Sequence, residues 1–166
     1  VAFSADGQRV GSVGMDGKAR LWDATDGALV AEVDYDYWVY GLDFSAEGPR
    51  WATGSFDGRA VVANADTGEH VAEVSHDLMV MDLALSPSGP WMAVMTSGSW
   101  GPVKLVVWDV RTHEQRTLAD LEVLPGHSNV VFSPDAQWLA AAMHCGAPVT
   151  IWQTMTWPVV AELETP

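Results

Sequence analysis

The sequence predicts an all-β chain built from four stacked units of four antiparallel strands each. Three observations carry that expectation. One phrase recurs as VAFSADG (1–7), LDFSAEG (42–48), LALSPSG (83–89) and VVFSPDA (130–136), at spacings of 41, 41 and 47 residues. Turn chemistry (ADG, MDG and ATDG in the first unit, AEG, FDG and ADTG in the second) separates short runs rich in Val, Leu, Trp and Thr. This is the pattern of antiparallel strands joined by hairpins. No 12-residue stretch shows a convincing apolar period of a helix, so helix content is expected to be low.

The elements of each unit follow in order. The recurring phrase supplies the first run. The second is RVGSVG (9–14), RWATGS (50–55), WMAVMT (91–96) and WLAAAM (138–143). The third is ARLW (19–22), AVVA (60–63), LVVW (105–108) and TIWQ (150–153), and the fourth is ALVAEV (28–33), HVAEV (70–74), EQRTL (114–118) and PVVAEL (158–163). Four strands in about forty residues make one blade of a β-propeller. A lone blade is a twisted sheet with two apolar faces, and it must stack on neighbours to bury them. The expected blades are 1–33, 42–74, 83–123 and 130–163.

Composition narrows the classes of function. The chain is 48% hydrophobic and 18% charged, so it can bury a sizeable core and is not disordered. Asp and Glu total 22 against 8 Lys and Arg, a net charge of −14. Such a surface repels phosphate backbones, so nucleic acid is not expected as a partner, and basic or neutral partners are favoured. Cys145 is the single cysteine, which excludes an internal disulfide and implies no oxidising compartment. No apolar run is long enough for a membrane-spanning helix, so no membrane association and a cytoplasmic location are expected. Val1 falls inside a repeat motif, which reads as a piece cut or processed from a longer product.

These repeats resemble the WD-repeat family along the whole chain, and the resemblance implies a buried tetrad of hydrogen-bonding side chains in each blade. In that family a Trp indole donates to a Ser or Thr hydroxyl, the hydroxyl bonds a His, and the His bonds an Asp in the turn between the second and third strands. Ser12, Asp16 and Trp22 match three of these positions in the first unit, and the His position would precede Val1. The second unit offers Tyr35 at the His position with Thr53 and Asp57, but Ala63 replaces its Trp. The third keeps His76 and Trp108, with Val94 in place of the hydroxyl and the turn rebuilt as SGSWGP (97–102). The fourth keeps Trp152, and its His127 sits four residues too close to the strand to fit the pattern. No unit is complete. The low Lys count (Lys18 and Lys104) with plentiful Ala, Trp and Gly hints at a GC-rich bacterial source.

Rings of this family usually hold seven or eight blades, so four are expected to form about half a ring with two apolar faces in water. Exposed faces of that size mark interfaces. The expected cover is another propeller half: a second copy, giving an eight-bladed homodimer, or the remaining blades of a longer chain or complex.

No catalytic constellation, metal site or cofactor motif is expected. The five His are scattered, and no HExxH, phosphate-binding loop or nucleophile elbow occurs. Met143, His144 and Cys145 are adjacent and would alternate faces rather than converge on one ion. Asp34, Asp36 and Asp43 lack the spacing of a calcium loop. Partner binding is the better candidate. The resemblance places the partner face on the loops between fourth and first strands and between second and third strands. Those loops hold Met15, Tyr37, Trp38, Tyr40, Phe56, Met79, Met81, Trp100 and His144, residue types enriched in interface hot spots. Phe56, Tyr40 and Trp100 are expected to be exposed. The sequence thus reads as a non-catalytic protein-interaction scaffold or, in the alternative, as a sensor or regulatory segment of a larger signalling protein fused to a kinase or nucleotide switch.

Overall fold

In the computed structural model, which describes residues 1–98, 101–121, 129–142 and 148–164, four sheets of four antiparallel strands follow one another along the chain. The first holds β1 (Ala2–Phe3), β2 (Arg9–Val13), β3 (Lys18–Asp23) and β4 (Leu29–Asp34); the second β5 (Val39–Phe44), β6 (Arg50–Ser55), β7 (Arg59–Asn64) and β8 (His70–Ser75). The third holds β9 (Met79–Leu85), β10 (Trp91–Ser97), β11 (Val103–Asp109) and β12 (Gln115–Leu121); the fourth β13 (Asn129–Phe132), β14 (Trp138–Ala142), β15 (Val149–Gln153) and β16 (Val159–Leu163). Within every sheet, strands pair in sequence order, and no helix occurs among the described residues.

Turn residues set the register. Gly17 has a φ of +74°, and a Cβ there would lie 2.7 Å from the Tyr35 carbonyl oxygen, so only glycine lets the next connection pass over the hairpin. At the turn after the third strand, Asp23, Asn64 and Asp109 each accept backbone N–H bonds from residues two or three further on. This Asx arrangement tightens the turn. Its left-handed position is Gly27 and Gly68 in the first two sheets, but His113 (φ 63°) and Trp157 (φ 62°) in the last two. Trp157 is buried and meets Trp91 edge-on at 5.4 Å. Its ring packing supplies the reason to hold a bulky residue where glycine is the easier choice.

The core lies between the sheets, because alternate residues of each strand point to opposite flanks. Ala19 and Leu21 of the first sheet meet Trp51, Val61 and Ala63 of the second. Ala52, Ala60 and Val62 on the other flank of the second sheet meet Val80, Met92, Val94 and Trp108 of the third. Ala93, Met95, Leu105 and Val107 then meet Val130, Leu139, Ala141 and Trp152 of the fourth.

The register also shows how the second sheet manages without a Trp on its third strand. Val10 faces Trp22, Met92 faces Trp108 and Leu139 faces Trp152 across neighbouring strands. At the equivalent pair the order is reversed: Trp51 faces Ala63. The large ring has moved one strand over and fills the same layer at 1% exposure. The exchange conserves volume and so preserves close packing. It leaves the Trp51 Nε1 buried without a hydrogen-bond partner among the described residues.

Candidate partner-binding surface

The polar side chains at the tetrad-like positions are assembled differently in each sheet. In the first, Trp22 Nε1 donates to Ser12 Oγ at 2.8 Å. Asp16 is exposed and accepts from the Lys18 amide at 3.2 Å and from Arg20 at 2.8 Å. The Arg20 bond, more than the backbone one, holds its carboxyl below the usual carboxylate range. In the second sheet the Tyr35 and Thr53 hydroxyls share a hydrogen bond of 2.6 Å, and Tyr35 also donates to the Thr53 carbonyl at 3.1 Å. Burial pushes the Tyr35 phenol up, away from ionisation. Asp57 serves the backbone, accepting from the amides of Arg59 and Asp36 at 2.9 Å each. It thereby ties the β6–β7 turn to the β4–β5 connection.

In the third sheet Val94 is buried where a hydroxyl would stand, and the His76 Nε2 is buried with no partner among the described residues. Burial lowers the His76 pKa, with Asp77 pulling weakly the other way. Trp108 and Trp152 are buried in the sheet-to-sheet cores. His127 lies outside the described residues.

The same turns carry the partner-binding candidates. Phe56 was expected to be exposed; instead it is half-buried, as the hub of a ring cluster. Tyr40 stacks on it at 4.6 Å and 9°, Tyr37 at 6.4 Å and 13°, and Trp38 lies tilted at 6.2 Å. The Phe56 amide donates to the Trp38 carbonyl, which brings two segments of chain together at this point. Tyr37, Trp38 and Tyr40 are exposed. Met15 is also exposed, on the neighbouring turn whose Gly17 underlies Tyr35. Met79 and Met81 are half-buried on β9, one connection further along. Trp100 and His144 lie outside the described residues.

Sequence reasoning missed one further feature. Asp43 accepts from the Leu85 amide at 2.7 Å, and Asp82 from the Val130 amide at 2.9 Å. Each carboxylate therefore links the first strand of one sheet to the first strand of the next. Burial raises both pKa values. They border a hollow of about 420 Å³ with Asn129. Asp34 pairs with Lys18, and Asp36 is exposed beside the ring cluster, so the three acids considered for calcium serve separate places. Among the described residues no group of three His, Cys, Asp or Glu gathers, and no helix is long and apolar enough to cross a membrane.

The two flanks expected to lie in water are open among the described residues. On the fourth sheet Val131, Trp138, Ala140 and Ile151 line an apolar hollow of about 530 Å³. On the first sheet the flank turned away from the second sheet carries Phe3, Val10, Ser12 and Trp22. At 69%, Phe3 is far more exposed than Leu85, at 3%, which occupies the same register position in the third sheet.

Successive four-stranded antiparallel sheets stacked flank to flank define a fold of the β-propeller class. Residues 1–23 and 30–63 match the family model described as WD domain, G-beta repeat. The chain is similar to the β-propeller domain of Cps50 (Swd1) from Myceliophteria thermophila, with a TM-score of 0.79 and 16% identity. The likeness covers 100% of this chain and 54% of that one, so the chain spans about half the length of that structure. No match to a curated protein sequence was found.

Proposed function

We propose that the chain is a non-catalytic protein-interaction scaffold whose partner surface is the end bearing the β4–β5 connection and the β6–β7 turn. WD-repeat propellers generally act in this way. The observation that carries the reading here is the four-ring cluster of Tyr37, Trp38, Tyr40 and Phe56, exposed on three of its members. A protein that needed these rings only for packing would bury them; aromatic rings left in solvent on a rigid frame are suited to anchoring a partner. Met15, Met79 and Met81 extend the surface to either side. The direct test is affinity capture from the source cell by the wild type and by a Tyr37→Ala/Tyr40→Ala variant. Loss of captured proteins with an unchanged unfolding midpoint supports the scaffold reading. Equal capture by both removes this surface from it.

The two open flanks are assigned to another propeller half. A second copy would give eight blades, and the remaining blades of a longer chain or complex would do the same work. The support is that the flank positions of the end sheets match positions buried between the inner sheets. A discrete particle of twice the 17.9 kDa chain mass favours the second copy. Irregular association of the isolated chain favours the longer assembly.

A further inference from the structure

We propose that the ring cluster receives a cationic side chain, the Arg or Lys of a basic peptide; this rests on the scaffold reading and names its partner's chemistry. Tyr37, Trp38 and Tyr40 are 52%, 38% and 48% exposed around the Phe56 hub. Aromatic ring faces carry partial negative charge and attract a guanidinium or ammonium laid over them.

The rim adds full negative charges. Asp36 immediately precedes Tyr37, and its amide is held by the Asp57 carboxylate at 2.9 Å. Asp77 follows His76, whose amide donates to the Gly58 carbonyl, so it borders the same turn. Among the described residues no basic side chain forms an ion pair with Asp36, Asp57 or Asp77. The neighbouring acids differ: Asp34 is neutralised by Lys18 and Asp16 by Arg20.

The same corner of the molecule already holds one such pairing. The Arg59 guanidinium lies 5.0 Å from the centre of the Tyr35 ring while its nitrogens bond the Glu73 carboxylate at 3.1 and 3.0 Å. Ring face and carboxylate together hold a guanidinium there, and the ring cluster with Asp36 offers both to a cation from outside, with Asp77 one connection further along. A net charge of −14 draws such a ligand in and repels acidic or phosphorylated peptides.

The test is a titration of the whole chain with a short Gly/Ser peptide carrying two Arg, followed by the NMR signal of the Trp38 indole. Parallel titrations use the same peptide with Lys, with citrulline and with norleucine. The Arg and Lys peptides are expected to shift the Trp38 signal, and neutral citrulline is expected to bind roughly tenfold more weakly. Asp36→Asn/Asp77→Asn is expected to weaken the Arg peptide several-fold and to flatten its salt dependence, with the unfolding midpoint unchanged. Binding of the citrulline and norleucine peptides as tight as that of the Arg peptide overturns the inference and leaves an apolar anchor, with the scaffold reading intact. No shift at millimolar Arg peptide also overturns it. The capture experiment with Tyr37→Ala/Tyr40→Ala judges the scaffold reading separately.

Discussion

The inner and outer sheets use the same positions in opposite circumstances. Met92 and Trp108 of the third sheet are sealed against the second, whereas Val10 and Trp22, their equivalents in the first sheet, are only half-buried. On the other flank, Leu21, Val62 and Val107 are buried between sheets, and Ile151 in the fourth sheet is half-buried beside the solvent-exposed Val131 and Trp138. The chemistry of the positions is unchanged; only the neighbour is missing. A residue's contribution should therefore depend on which side of the stack it faces, more than on its match to a repeat pattern.

The largest expected effect follows from that contrast. Trp108→Ala should lower stability by about 3–5 kcal/mol through a cavity between two sheets. Trp22→Ala, on an open flank, should cost about 2 kcal/mol less, since part of its surface already meets water and no second sheet closes over it. Urea unfolding of both variants measures this, and equal costs would break the comparison.

Next is the transposed pair in the second sheet. Trp51→Val and Ala63→Trp should each destabilise alone, by underfilling and overfilling one layer. Together they rebuild the order seen at Val10 and Trp22. The double variant should recover about 1–3 kcal/mol relative to the sum of the singles. An additive result would show that the two sites do not share one volume.

Smaller effects concern the buried polar atoms. Tyr35→Phe should cost about 1–2 kcal/mol by leaving Thr53 without its partner. His76→Phe should be close to neutral or mildly stabilising, because the buried Nε2 it removes has no partner among the described residues. The same group gives a pH test. Its folded pKa lies below the ordinary histidine value of 6.5. The folded state therefore takes up this proton less readily than the unfolded chain. Stability is fully present above that ordinary value and falls as pH drops through the lower folded pKa. Thermal unfolding from pH 7.5 to 5 should show a steeper acid loss for the wild type than for His76→Phe. Parallel curves would remove His76 as the cause.

The four-by-four strand order was readable from sequence because stacked sheets impose one apolar rhythm and one set of turn residues on every unit. Where bonds depend on a neighbour in space, single columns of the repeat misled. Ala63 reads as a lost Trp, and only the register reveals that Trp51 stands opposite it. Phe56 reads as an exposed turn residue, yet its ring is half-buried because Tyr37, Trp38 and Tyr40 close around it from the other connection. Asp43 and Asp82 give no local signal of this role, since the amides through which they link sheets, those of Leu85 and Val130, belong to the following sheet.

Multi-angle light scattering across a concentration series tests most directly whether the end flanks are packing surfaces awaiting another sheet. The expected result is a mass above the 17.9 kDa of one chain, driven back toward it by Phe3→Glu or Ile151→Glu. A stable, non-aggregating particle of single-chain mass at every concentration, unaffected by either substitution, would contradict it.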